Sequence, residues 1–241
     1  MQLSVMMPCY QEAENLKEII PKIDKTLTEI GLEAEMLVID TMTSMDNTED
    51  ICRINQGISN SRIRYLKREG GNNYGDAIRT GISRAEGEYL VIMDADGSHS
   101  PEDIKRLYEH IIVNSCVVVI GSRYMSGGNT DNSWILKLMS HTLNIAYRFI
   151  FHLDVKDVSD SYRIYDLEKL KRLSFECDNF DIVEEILIKI RKEYPKDKIE
   201  EIPIYFSKRK YGESKRDLIR FVFSYISTIR RLQRITRGCK V

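Results

Sequence analysis

Asp94 and Asp96 flank Ala95 directly after the apolar run Tyr89-Leu90-Val91-Ile92-Met93. That run reads as a short buried strand, and strand ends along the edge of an open α/β sheet are where ligands bind. Two acids held there are costly to desolvate unless a cation joins them. A hard divalent ion meets the need, because Mg2+ takes one or two carboxylates together with substrate phosphates. An acidic turn ahead of a helix starting near Ser100-Pro101-Glu102-Asp103 would use the same residues. The other motifs weigh between the two.

The run Leu3 to Met7 ends in Pro8-Cys9-Tyr10-Gln11-Glu12-Ala13-Glu14-Asn15. Pro8 ends a strand, Tyr10 offers an aromatic face to a base or sugar, and Glu12 could accept ribose hydroxyls. Glu14 suits the dipole of the helix that follows. A second run ends at Asp40, where an acid could accept the imino N–H of uracil or guanine, or cap a helix. Asn72-Asn73-Tyr74-Gly75 leads another helix, whose N-terminus can hold phosphate oxygens. Arg123 follows a further apolar run within Gly121-Ser122-Arg123-Tyr124. The loop Lys208 to Lys215, with Arg209 and Lys215 around Gly212, suits a lid that closes on phosphate, or a solvated basic turn. No Walker pattern and no Gly-x-Gly-x-x-Gly follows a strand, so P-loop and dinucleotide readings lose support.

These residues need a scaffold that brings strand ends together. Apolar runs at Leu3 to Met7, Met36 to Ile39, Ile63 to Leu66, Tyr89 to Met93 and Val117 to Ile120 alternate with helical patterns. Those patterns cover Leu16 to Ile30, Thr48 to Asn55, Tyr74 to Ala85 and Pro101 to Ile112. The alternation predicts an α/β fold, with a mainly parallel central sheet and helices on both faces. The strands do not alternate in polarity, as expected for strands buried on both sides. Beyond Tyr124 the rhythm changes: a long apolar-rich helix from Trp134 towards Phe151, a polar turn-like stretch from Asp157 to Tyr165, a helix over Phe180 to Lys192 and a strand over Ile199 to Phe206.

The 241 residues allow one large domain with a small appendage, and 42% hydrophobic with 30% charged residues is ordinary for a globular chain. A net charge of −1 excludes global polyanion binding, and no nucleic-acid partner is expected. The five cysteines are scattered without Cys-x-x-Cys spacing, which fits a reducing compartment rather than a disulfide or zinc framework. The first apolar run is too short for a leader peptide, so a cytoplasmic location is expected.

Taken in order, Pro8-x-Tyr10-x-Glu12-x-x-Asn15, Asp40, Asp94-Ala95-Asp96-x-Ser98-His99-x-Pro101, Gly121-Ser122-Arg123-Tyr124 and Gly212-Glu213-Ser214-Lys215 resemble the inverting family-2 glycosyltransferases. Within them the likeness is to the dolichol-phosphate (polyprenyl-phosphate) mannosyltransferase-like group, over Leu3 to about Leu232. The resemblance implies a GT-A-like nucleotide-sugar-binding fold over residues 1–212. It implies a nucleotide pocket of Pro8, Tyr10, Glu12, Asp40, Asp94 and Ala95, and Mg2+ or Mn2+ at Asp94 and Asp96 with Ser98 close by. Arg123, Arg209 and Lys215 would bind the phosphates of donor and acceptor, with Asp96 central to catalysis. Phe180 and Glu185 match a pairing on the acceptor side. The chain departs from the pattern where Thr41 follows Asp40, where Asp160-Ser161-Tyr162 replaces Ser-Gly-Phe, and where Leu136 replaces a frequent arginine beside Lys137. Base and sugar therefore stay open: GDP or UDP, mannose or glucose.

Such a reaction breaks an anomeric C–O bond as charge builds on a diphosphate, which a bound metal stabilises. A hydroxyl acceptor would need a general base, with Asp160 or Glu185 as candidates. A phosphomonoester, with its second pKa of about 6, needs only positioning by cations. The expected partners are thus a GDP- or UDP-hexose and a polyprenyl phosphate, or a hydroxyl acceptor of a cell-surface glycan. From Lys208 onward eleven basic residues face only Glu213 and Asp217. Leu218, Val222, Tyr225, Ile226, Ile229 and Leu232 fall on one helical side, so residues 213–241 read as a basic amphipathic helix and tail. It would lie on an anionic membrane surface, making the chain peripheral, or dock on its own domain. Two rivals use the same residues: a haloacid-dehalogenase-type phosphatase, since Asp94-Ala95-Asp96-Gly97-Ser98 resembles its nucleophile motif, and a non-catalytic membrane-docked scaffold.

Overall fold

In the computed structural model, which describes residues 1–209 and 228–234, the alternation of runs becomes strands β1 (Leu3–Pro8), β2 (Ala34–Asp40), β3 (Arg62–Lys67), β4 (Tyr89–Ile92) and β5 (Cys116–Ser122), joined by helices α1 (Ala13–Ile30), α2 (Thr48–Gln56), α3 (Tyr74–Arg84) and α4 (Asp103–Asn114). There follow β6 (Asn129–Thr130), α5 (Trp134–Phe151), β7 (Arg163–Asp166), α6 (Leu167–Lys171), α7 (Ile182–Glu193), β8 (Lys198–Pro203) and β9 (Tyr205–Phe206). Residues 228–234 are helical.

One sheet runs β3-β2-β1-β4-β7-β5-β8, and β6 pairs with β9 beside it. All its pairings are parallel except those of β7, which runs antiparallel to both β4 and β5. Strands β1, β2 and β5 are buried along their whole length, hence their unbroken apolar character. Val5, Met7, Met36 and Val38 face Leu16, Ile20 and Ile23 of α1 and Ile104 and Leu107 of α4. Met6, Leu37 and Ile39 face Ala77, Ile78 and Ile82 of α3 and Ile182 and Ile186 of α7. Truncating one such side chain, Leu16→Ala for example, would cost about 2–5 kcal/mol.

The chain adds β2 and β3 on one side of β1, then returns to place β4 on the other. This reversal opens a crevice at the carboxyl ends of β1 and β4. The segments following those strands, Cys9 to Glu12 and Met93 to Ser98, therefore emerge together.

Three expectations are corrected. The stretch Asp157 to Tyr165 is not all turn: its end is the start of β7, in the middle of the sheet. Arg163 hid that strand, because its fully buried guanidinium is satisfied by carbonyls, Nη1 to Val183 at 3.0 Å and Nη2 to Val158 at 2.6 Å. The run Ile199 to Phe206 is two strands, since β9 leaves the main sheet to pair with β6. Of the C-terminal amphipathic segment, Ile229 and Leu232 pack on the α3–α7 core, and Arg231 pairs with Asp181 at 3.9 Å. These two apolar residues are spent on the domain itself. The rest of that segment, the 212/213 boundary and Lys215 lie outside the described residues.

Candidate active site

The turn after β4 is built around Asp96. Ser98 donates its hydroxyl (2.5 Å) and its amide (3.0 Å) to Asp96 Oδ1, and Gly97 supplies the left-handed φ of 80° that this tight turn requires. Asp96 Oδ2 is left facing the cleft. Burial raises Asp96, but the two Ser98 hydrogen bonds, with His99 and Arg209 nearby, prevail and hold its carboxyl below the usual range. Asp94 is supported by hydroxyls: Tyr74 donates to Oδ1 at 3.5 Å and Ser161 also hydrogen-bonds its carboxylate. Burial raises Asp94 above the usual range, with His99 opposing and Asp96 and Asp160 reinforcing. Ala95 is buried between them.

The turn after β1 faces this pair. Pro8 is buried, opposite Ile39 of β2. Tyr10 is about half exposed at the rim, and Gln11 takes a left-handed φ of 58° that swings the chain into α1. Such strain concentrates at functional turns. Glu12 Oε2 accepts from Asn15 at 2.5 Å, which fixes the carboxylate. Burial pushes Glu12 up to about 7, against Arg209 and Asn15 and with Asp96 and Asp94 adding to the rise.

Arg209 closes the cluster. Its Nη2 lies 2.5 Å from Glu12 Oε1 and its Nε 3.1 Å from Asp96 Oδ2. The hydrogen bond from the Ser207 amide to the Ser98 carbonyl, 2.9 Å, brings the segment after β9 to this place. A guanidinium thus supplies the positive charge that clustered carboxylates demand. Three carboxylates that offer hard oxygen donors, two of them shared with a cation, are a donor set that suits Mg2+ or Mn2+.

Other expected residues stand differently. Asp40 reaches the same sheet edge but turns inward: Oδ1 accepts the Thr41 amide at 2.7 Å and Oδ2 the Tyr65 hydroxyl at 2.9 Å. It shapes the loop after β2 rather than presenting a free oxygen to a base. The N-terminus of α3 is filled by its own Asp76, which accepts from the Asn73 amide at 2.9 Å, so it offers phosphate little. Arg123 is also engaged: Asp157 takes Nε and Nη2 at 2.7 Å each, Asp160 lies 3.0 Å from Nε, and Ser159 accepts at 2.9 Å. Burial disfavours its charge, but Asp157 and Asp160 prevail and raise it. The Arg123 guanidinium is thus held by Asp157, Asp160 and Ser159. Glu185 is buried and spent on the amides of Glu176 and Cys177 and on Lys189 at 2.7 Å, which removes it as a base.

Sequence reasoning overlooked the support that Asp160 receives. His99 accepts the Asp94 amide at Nδ1 (3.1 Å), which puts its proton on Nε2, 3.2 Å from Asp160 Oδ1. Its ring stacks on Tyr162 with centroids 4.6 Å apart. Asp94, His99, Asp160, Arg123 and Asp157 thus form one chain of contacts. Its only sequence signal was the pair of acids, Asp157 and Asp160, three residues apart in a polar stretch.

A mainly parallel sheet with an acid-lined crevice at its switch point, closed by an arginine, defines a GT-A-like fold. Residues 4–174 match the Glycosyl transferase family 2 model, and the chain belongs to that family: it is a glycosyltransferase. It is 32% identical over 237 residues to the dolichol-phosphate mannosyltransferase of Pyrococcus furiosus, covering 97% of this chain and 64% of that relative's length. It is 30% identical over 216 residues to the polyprenol monophosphomannose synthase of Mycolicibacterium smegmatis, covering 88% of this chain and 79% of the relative. Its fold matches the glucosyl-3-phosphoglycerate synthase of Mycobacterium tuberculosis, with a TM-score of 0.70 at 17% identity, covering 96% of this chain and 78% of that one. Family membership sets aside the phosphatase reading.

Proposed function

We propose that this chain transfers a hexose, mannose or glucose, with inversion from a GDP- or UDP-sugar to a polyprenyl or dolichyl phosphate, with Mg2+ or Mn2+ at Asp94 and Asp96. The observation that carries this reading is the convergence of Asp96 and Glu12 on the Arg209 guanidinium, with the Asp94 carboxylate beside them and close enough to Asp96 to feel its charge. The names of the two mannosyl-transferring relatives support the acceptor class. The mycobacterial synthase of the same fold was solved with Mn2+ and UDP, which supports the donor and metal class. When bound, the ion would neutralise charge developing on the departing diphosphate.

The protein's own groups do the rest. Tyr10 stacks against the base at the rim. Ser98 fixes Asp96 so that one oxygen always faces the cleft. Arg209, joined by Lys215, turns from the acids to the phosphate oxygens of donor and acceptor. A phosphate acceptor is already ionised near neutral pH and needs no general base, in keeping with a Glu185 that is wholly engaged.

A lipid-borne acceptor also gives α5 a purpose. Trp134, Leu138, Ile145 and Phe149 fall within an arc of about 60°, and Trp134 is 74% and Phe149 84% exposed. Lys137 and Arg148 lie along one edge of this stripe, and α5 contains no acid. An apolar stripe with only cations beside it fits the interface of an anionic bilayer. No helix among the described residues is long and apolar enough to cross a membrane. Opposite the stripe, Ser140 contacts Ser159 at 3.3 Å and Asn144 accepts the Val158 amide at 3.0 Å. A helix resting on lipid would thus hold the loop that carries Asp160.

The test is transfer from radiolabelled GDP-mannose and UDP-glucose, with Mn2+, to polyprenyl phosphate or to unphosphorylated polyprenol in vesicles. Label should pass to the phosphate alone. Transfer only to hydroxyl acceptors would overturn the acceptor assignment.

A further inference from the structure

On the far side of the fold, His110, Cys116 and Glu200 bring one nitrogen, one sulfur and one carboxylate oxygen within 4.8 Å of one another. They come from three elements: the last turns of α4, the first residue of β5 and the middle of the edge strand β8. Cys116 begins its strand, whereas the catalytic acids follow theirs, so the cluster lies at the opposite end of the sheet.

The backbone is specially arranged for this meeting. Pairing of β5 with β8 slips register between Cys116 and Val118. Val117 and Val118 consequently both face the α3–α7 core, while Cys116 and Val119 face the α4 side. A bulge commonly serves to re-aim a side chain, and here it delivers the thiol to the layer that holds His110. Ser115, just before it, caps α4 in the left-handed conformation at φ 52°. His110 Nε2 already contacts Glu200 Oε2 at 2.6 Å.

A buried thiol, a half-buried imidazole and a half-buried carboxylate, each from a different element, are a borderline-soft donor set. Magnesium and manganese prefer oxygen alone; thiolate with imidazole selects zinc. We propose that His110, Cys116 and Glu200 form a second metal site that takes Zn2+, with water in the fourth position. Burial and Glu200 raise the thiol to about 11, with Lys198 opposing. The uncharged thiol must therefore release its proton to solvent as the Zn–S bond forms.

The site would clip the edge strand to the body of the domain. Strand β8 continues through Ile204 and β9 to Ser207 and Arg209, so the clip would steady the strand from which the cationic arm springs. The proposal is independent of which sugar or acceptor the enzyme uses.

Co2+ is the probe, titrated into the full chain after chelator treatment. The Asp94–Asp96 site offers oxygen only, so a thiolate-to-cobalt charge-transfer band that depends on Cys116 reports the second site. One equivalent of Co2+ should develop that band, Zn2+ should bleach it, and Cys116→Ser should abolish it. Glu200→Gln and His110→Ala should each weaken Co2+ binding by about tenfold or more. Should Cys116→Ser fail to fold, His110→Ala, altered at a partly exposed ring, still decides the matter. No thiolate band in excess Co2+, or one that persists undiminished in Cys116→Ser, would overturn the assignment.

Discussion

Arg209 reaches from the segment after β9 to lie 3.1 Å from Asp96, with Glu12 gripping the other side of its guanidinium at 2.5 Å. The cation that completes this site without ligands is thus one of the protein's own. On the proposed metal role, a divalent ion would compete with Arg209 for the same carboxylate oxygens, and the phosphates of a donor would offer Arg209 another partner.

Arg209→Ala should therefore separate two properties. Turnover should fall by about 10²-fold, as for other lost electrostatic donors. Mn2+ binding without donor should tighten, because the competing charge is gone. Calorimetric titration with Mn2+ measures the second effect, and weaker binding would contradict the competition.

Arg123 should behave as a structural cation. Its removal leaves Asp157 and Asp160 buried without their partner, so Arg123→Ala should lose about 3–5 kcal/mol of stability. Denaturant unfolding reads this directly. Undiminished stability with a raised KM for the sugar nucleotide would instead indicate direct phosphate contact.

Glu184 gives a pH signature remote from the cleft. Burial pushes its carboxyl up to about 8 from an ordinary value of 4.5, despite a backbone hydrogen bond and Arg163. Between those values the folded chain holds a proton that the unfolded chain releases, so stability falls as pH rises through that window. Glu184→Gln should remove the slope. Relative to its value near pH 5, the variant should gain about 3–4 kcal/mol on the parent by pH 8. Parallel stability curves for the two proteins would count against a protonated Glu184.

What the sequence disclosed and what it concealed follow from burial. Strands β1, β2 and β5 were readable because both faces are covered, leaving largely apolar runs. Strand β7 was not, because Arg163 pairs with carbonyls that only the folded chain supplies. The acids at strand ends were readable by type and place, but not by orientation: Asp40 points into its own loop, whereas Asp96 keeps an oxygen for the cleft. The bounds of α5 were legible from Trp134 to Phe151, yet the side left uncovered depends on what packs against Ser140, Asn144 and Tyr147. In the C-terminal segment, Ile229 and Leu232 had the right spacing for a lipid face but found the domain core first.

Asp96→Asn should reduce transfer by about 10³-fold while leaving the melting temperature within a degree or so, since the amide keeps an oxygen for Ser98. Arg209, however, would lose part of its anchor. A fully active variant would refute a metal-holding carboxylate at this position.

The most direct measurement is isothermal calorimetry of GDP-mannose and UDP-glucose with the parent chain and Asp96→Asn, each with and without Mn2+. One of the two sugar nucleotides should bind the parent chain at least about tenfold more tightly with the ion. That gain should vanish in Asp96→Asn. Equal affinity with and without Mn2+ for both donors, or a gain that survives the substitution, would contradict a diphosphate held through a cation at Asp94 and Asp96.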